Sequence, residues 1–191
     1  MTDYNKTFKK LGAVQKGHFV LTSGNHSDTY VQCARILENP KVTAKLSKEL
    51  IKPWISQGID VVVGPALGGI VLSYELARPL KAKAMYLERV DGKLALRRGF
   101  TVSADSKIIV AEDVITTGGS VKEVIDVLAQ RGAQVLGIIS LVDRRPEKSD
   151  QIFGIRYNSV IQVNPPIYQP NDCPLCKQGI PTEKPGSRGL K

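Results

Sequence analysis

The stretch from Lys107 to Asp126, KIIVAEDVITTGGSVKEVID, constrains this chain more than any other. It opens on Ile108, Ile109, Val110 and Ala111, an unbroken apolar run of the kind that forms a strand buried on both faces. Further on, Val121, Val124, Ile125 and Leu128 recur at helical spacing. Between run and helix lie Glu112 and Asp113, then Val114 and Ile115, then Thr116-Thr117-Gly118-Gly119-Ser120. The order is strand, hydroxyl- and glycine-rich loop, helix. Such a loop sets N–H groups and hydroxyls at the positive end of a helix, where a phosphate is stabilised. A carboxylate at the strand's end can accept hydrogen bonds from the vicinal hydroxyls of a sugar. Two carboxylates ahead of a phosphate cradle therefore suit a ribose 5-phosphate. By itself the pattern also fits a plain turn whose acids cap the helix.

A second unit of the same kind precedes it. Val61-Val62-Val63 reads as a buried strand, Gly64-Pro65-Ala66-Leu67-Gly68-Gly69 as a loop, and the residues through Ser73–Ala77 as a helix. Adjacent glycines let backbone approach a ligand closely, although a sharp turn alone would use them too. Further strands are expected at Ala84–Leu87 and Val135–Val142, with Phe153-Gly154-Ile155 and Val160–Val163 as closing strands. Residues 1–16 read as an amphipathic helix with Tyr4, Phe8 and Leu11 on one stripe. Asn39-Pro40 starts another that runs to about Ser56, with Val42, Leu46, Leu50, Trp54 and Ile55 inward and Pro53 shortening its last turns. Alternating strands and helices predict an α/β fold, an open parallel sheet covered on both faces, with ligands at the strands' carboxyl ends.

The 191 residues suffice for one domain with a small appendage. A net charge of +9 raises the question of nucleic acid, but the basic residues are scattered and only four phenylalanines and one tryptophan are available for base stacking. A small polyanionic substrate accounts for the same excess, so no nucleic-acid partner is expected. No apolar stretch approaches the roughly 18 residues of a membrane span, and no signal sequence is recognisable; a cytoplasmic protein with no membrane partner is expected. Neither GxxxxGK[ST] nor GxSxG occurs, which argues against a P-loop NTPase and a serine hydrolase. Three cysteines, Cys33, Cys173 and Cys176, point to reduced thiols. Cys173-Pro-Leu-Cys176 has the spacing of half a zinc site, but His18 and His26 lie far away in sequence. A plain terminal turn is the expected reading there, with a zinc knuckle shared between subunits as its alternative.

The string AEDVITTGGS resembles the motif that binds phosphoribosyl pyrophosphate (PRPP) in type I phosphoribosyltransferases. Gly17, Phe19, Leu21, Ser23, Gly24, Ser27 and Tyr30 are similar to the hood segment of the orotate-specific branch of that family. The resemblance implies transfer of ribose 5-phosphate from PRPP to orotate in pyrimidine synthesis, with Mg²⁺ carried by PRPP and no metal assigned to protein side chains. It implies that Glu112, Asp113 and the residues Val114 to Ser120 bind PRPP together with Gly68 and Gly69, through a strained, often cis, backbone near Ala66-Leu67. Thr116, Arg144 and Tyr30 would bind orotate, Arg144 through its carboxylate. Glu88–Phe100, with the turn signal Asp91-Gly92, lies where the family carries a cationic flap reaching across a homodimer with shared active sites. Arg89 and Lys93 are its catalytic candidates, and a solvated surface ribbon is the simpler alternative. The sequence departs from relatives at Thr22 and Gly68, where lysines occur, and at Glu88-Arg89 and Arg98-Gly99 in the flap. The resemblance also implies a transferase domain at 1–163 and a loose extension at 164–191. Within the domain the core spans about 40–145, and the hood comprises 17–39 plus the C-terminal strands. A purine or uracil transferase, or a PRPP-sensing regulator, would share the central motif without needing Arg144.

Overall fold

A computed structural model describes residues 3–185 and divides them into two units, one built from both chain ends (to Ile36 and from Asn164) and one from Leu37–Val163. The smaller unit begins with α1 (Tyr4–Lys10), which buries Phe8 completely. This helix stops well short of residue 16. Gly12 takes a left-handed φ of 70°, and the chain turns at once into β1 (Val14–Val20). β1 pairs antiparallel with β2 (His26–Val31) across the expected Ser23-Gly24-Asn25 turn, where Gly24 has φ 85°. A single helical turn, α2 (Ala34–Leu37), follows.

The larger unit opens with α3 (Pro40–Leu50), with proline in its first turn, and a 3₁₀ turn at Lys52–Trp54. Leu46, Leu50 and Trp54 are buried as expected, but Ile55 is 64% exposed because the chain has left the helix before reaching it. Then come β3 (Val61–Pro65), α4 (Gly68–Leu80), β4 (Lys83–Val90) and β5 (Lys93–Leu96). After these follow β6 (Lys107–Ile115), α5 (Gly119–Ala129), β7 (Gln134–Asp143), β8 (Gln151–Ile152) and β9 (Ile155–Gln162). They form one seven-stranded sheet in the order β5-β4-β3-β6-β7-β9-β8. The five inner strands are parallel, and β5 and β8 close the edges as antiparallel hairpins. The apolar run Ile108–Ala111 lies fully buried in the middle of this sheet.

Two expectations change here. Phe153 and Gly154, with φ 55° and 75°, make the β8–β9 turn and are not themselves strand. β9 lies parallel to β7 in the large sheet and does not join the hood, because Tyr157 and Ile161 alternate into its core.

The chain then returns to the smaller unit as β10 (Ile167–Tyr168), paired with β2, and α6 (Pro174–Lys177). This segment is anchored rather than loose. The Ser27 hydroxyl donates to the Pro166 carbonyl at 2.9 Å, and Glu183 exchanges backbone hydrogen bonds with His18 and Val20 at 2.7 and 2.8 Å. Residues 186–191 of the expected extension lie outside the described residues. Among the described residues no helix is long and apolar enough to cross a membrane.

Trp54 packs against the sheet, its Nε1–H donating to Asn158 Oδ1 at 3.0 Å. A Cβ on Gly137 of β7 would run into its ring. Gly137→Ala is therefore expected to destabilise the protein by about 1–3 kcal/mol through overpacking, read as a lower urea midpoint by Trp54 fluorescence. An unchanged midpoint contradicts this packing.

Candidate active site

Because β3, β6 and β7 are parallel neighbours, their carboxyl ends emerge side by side. Ile115 pairs with Asp143, and the Arg144 N–H donates to the Ile115 carbonyl at 2.8 Å, which sets Arg144 beside the loop starting at Thr116. That loop turns into α5 at Gly118, whose φ of 81° is left-handed. A Cβ there would also stand 3.2 Å from the Phe153 ring. Glycine at the cap offers the first N–H groups of α5 no acceptor of its own, and those are the donors an anion would meet. Thr116 and Thr117 are exposed at the rim, and the Thr117 Oγ1 accepts a 3.4 Å bond from the Gly119 N–H.

Glu112 and Asp113 are half-buried towards the end of β6. Their carboxylates are partly satisfied by local backbone: Glu112 Oε1 accepts from the Asp113 N–H at 3.2 Å, and Asp113 Oδ1 from the Val114 N–H at 2.9 Å. The loop after β3 closes directly upon them. A Cβ on Gly68 would collide with the Asp113 carboxyl. One on Gly64 would lie 2.5 Å from the Gly69 carbonyl and 2.6 Å from that of Ala111. Glycine at 64 and 69 lets the start of α4 sit against the end of β6, and at 68 any Cβ would require the Asp113 side chain to shift. The Ala66–Leu67 peptide bond between them is cis, at the position expected, and Leu67 is 82% exposed. Burial first, then the neighbouring charge of Asp113, pushes the Glu112 carboxyl up to about 9; burial also pushes Asp113 up.

The adjacent arginines differ. Arg145 is committed to Asp143 (3.0 and 2.8 Å), to the carbonyls of Ser149 and Gln151, and to the face of Tyr157 at 4.7 Å. Arg144, its neighbour, is half-buried at the strand end.

Glu88–Phe100 forms an ordered edge hairpin with Asp91 and Gly92 at φ 50° and 80° in its turn. The Arg89 guanidinium pairs bidentately with Glu123 of α5 at 3.1 and 3.0 Å, and Arg98 pairs with Glu88 at 3.0 and 2.9 Å. Lys93 is exposed beside the turn. The structure thus gathers Glu112, Asp113, Gly68, Gly69 and the loop through Ser120, and it sets Arg144 next to them. Arg89 is instead engaged with Glu123. Tyr30 belongs to the smaller unit, its ring 5.6 Å from Phe19. Nothing in the sequence singled out Glu123, because a lone acid on a helix carries no motif. A second gathering, of His18 and His26 with Cys173 and Cys176, was also not legible, since it depends on how the two chain ends pair. A depression of about 730 Å³ at the opposite, amino ends of β3, β4 and β6 is lined by Asp60, Lys81, Lys83 and Asp105. It has no glycine loop or helix start, so the chemistry favours the carboxyl ends.

The family described as phosphoribosyl transferase domain matches residues 32–169. The orotate phosphoribosyltransferase of Thermotoga maritima is 52% identical over 96% of this chain and 97% of its own length. That of Caldanaerobacter subterraneus is 48% identical over 96% of this chain and 95% of its own. Among solved structures, orotate phosphoribosyltransferase from Aeropyrum pernix superposes with a TM-score of 0.70 at 29% identity, covering 84% of this chain and 93% of that one.

The Glu112 carboxyl gives the site a pH signature. Between its ordinary value of 4.5 and about 9 the unfolded chain releases this proton while the folded protein keeps it, so stability falls as pH rises through that window. Glu112→Gln removes the effect and is expected to stabilise the ligand-free protein at pH 8 by on the order of 1 kcal/mol. Thermal melts at pH 5 and pH 8 check this; an equal or larger loss at pH 8 in the variant contradicts it.

Proposed function

The chain belongs to the phosphoribosyl transferase family, and from that premise we propose that it transfers the ribose 5-phosphate group of PRPP to orotate, giving orotidine 5-phosphate and pyrophosphate in pyrimidine (UMP) synthesis. The observation that carries the reading is the meeting of Gly68 with the Asp113 carboxyl. A loop suited to a diphosphate and a loop suited to a ribose phosphate share one corner, and the bond to be broken joins those two groups.

Cleavage at C1 builds oxocarbenium character on the ribose. Glu112 and Asp113 accept hydrogen bonds from the ribose hydroxyls and favour that positive charge. Their raised proton affinity without ligand is first of all the cost of burying these acids at the strand end. The Thr116–Ser120 loop and the start of α5 hold the 5-phosphate, so the sugar is fixed for in-line attack. Backbone at Gly68 and Gly69 meets the diphosphate. Arg144 pairs with the orotate carboxylate, and Thr116 bonds the pyrimidine from the adjacent strand end. Orotate is already an anion and needs little general-base help.

The oxygen donors here, two carboxylates and the hydroxyls of Thr116, Thr117 and Ser120, are of the hard type that fits Mg²⁺. Mg²⁺ brought in with the substrate's diphosphate would supply countercharge for the leaving group. We take the working assembly to be a cytoplasmic homodimer in which the hairpin Glu88–Phe100 serves the partner's diphosphate. Within its own subunit Arg89 is turned towards Glu123, which suits a flap whose target lies elsewhere. Lys93, exposed beside the same turn, is the other cation it would bring.

Incubation with Mg²⁺, PRPP and each of orotate, uracil, hypoxanthine and adenine tests the function directly. Orotate alone should be consumed, and turnover of another base in its place overturns the proposal. Asp113→Asn should lower kcat by about 10²-fold, far more than it disturbs folding, and undiminished kcat would remove Asp113 from the ribose. Arg144→Ala should raise the orotate KM by roughly 10- to 100-fold while the PRPP KM stays put; the reverse pattern contradicts the carboxylate role.

A further inference from the structure

We propose that His18, His26, Cys173 and Cys176 form a closed structural site for one zinc-type divalent cation, fastening the C-terminal segment onto β1 and β2. All four belong to the smaller unit. His18 comes from β1 and His26 opens β2; Cys173 caps α6 and Cys176 lies within it. One ligand atom from each lies within 4.8 Å of all the others.

The spacing is that of a coordination shell. With Zn–S near 2.3 Å and Zn–N near 2.0–2.1 Å, a tetrahedron has edges of about 3.6 Å between N and S and about 3.3 Å between two N atoms. Here His18 Nε2 lies 3.5 Å from Cys173 Sγ and 3.7 Å from Cys176 Sγ, and His26 Nδ1 lies 3.3 Å from Cys176 Sγ. The two ring nitrogens are 2.8 Å apart, so a metal would open that edge by about half an ångström, while the widest separation in the group, up to 4.8 Å, would shorten.

The tautomer is also set. His18 Nδ1 lies 2.7 Å from the Ile180 carbonyl, which can only accept, so the ring proton sits on Nδ1 and Nε2 turns its lone pair to the cluster. That single lone pair faces three partners at 2.8–3.7 Å: His26 Nδ1 and both sulfurs. A network of ordinary hydrogen bonds would satisfy one of the three, whereas a cation at the centre satisfies every donor at once. Both thiols are free, and Cys176 is exposed while the other three are buried, which leaves a route of entry. Two thiolates and two imidazoles select a zinc-like ion over Mg²⁺ or Ca²⁺, and four protein ligands leave no open position for catalysis.

Such an ion has structural work to do. α6 buries no side chain of its own, and Cys173 is the one buried residue between Pro170 and Pro185. The ion would tie positions more than 150 residues apart in a unit with few large buried side chains.

The full chain, produced in zinc-supplemented medium, should carry one zinc per polypeptide by elemental mass spectrometry. Replacement by Co²⁺ should give the ligand-field and thiolate charge-transfer bands of a tetrahedral site. Cys176→Ser should reduce bound zinc to near zero and lower the melting temperature. If that variant does not fold, the cobalt spectrum of the unaltered protein decides. Folded protein that binds neither metal, a six-coordinate cobalt spectrum, or a Cys176→Ser variant that keeps its zinc each overturns the site.

Discussion

The site depends on how closely two pieces of backbone can approach. The start of α4 touches the end of β6 because positions 64 and 69 lack side chains; a Cβ at 64 would stand 2.5 Å from the Gly69 carbonyl oxygen in α4. Adding atoms there would push backbone against backbone, a clash that no rotamer change relieves. At 68 it would displace the Asp113 carboxyl itself. The glycines therefore bring the start of α4 up to the acids at the end of β6.

Electrostatics follow from the same crowding. Two carboxylates in a half-buried corner hold their protons more tightly than free acids do, which is unfavourable for the empty protein. Under the proposed function, a ligand bringing hydroxyl donors and developing positive charge would relieve that cost on binding. Elsewhere several cations are paired: Arg145 is bound to Asp143, Arg98 to Glu88 and Arg89 to Glu123.

The large sheet was legible because its signal is local. Ile108–Ala111 and the helical recurrence at Val121, Val124 and Leu128 each declare themselves within a few residues, and the buried core repeats them. The cis peptide at Ala66–Leu67 was expected through a family resemblance, not from residue chemistry. What escaped notice was long-range. Nothing near Ile155 says whether its strand joins the sheet or a hood, because that depends on the register with β7. Likewise Phe153-Gly154 reads as apolar strand until its left-handed backbone is known. The pairing of His18 and His26 with Cys173 and Cys176 was hidden for the same reason: three separated elements supply the four side chains.

The smaller unit is assembled from both ends of the chain, with β10 and α6 joining strands that precede the whole of the large sheet. On the ribosome the β1–β2 hairpin thus emerges before the large sheet but waits for its partners until synthesis has passed Asn164. The larger unit, contiguous from Leu37 to Val163, has by then all of its strands. Vectorial folding would begin in the middle of the polypeptide and finish with its two extremities.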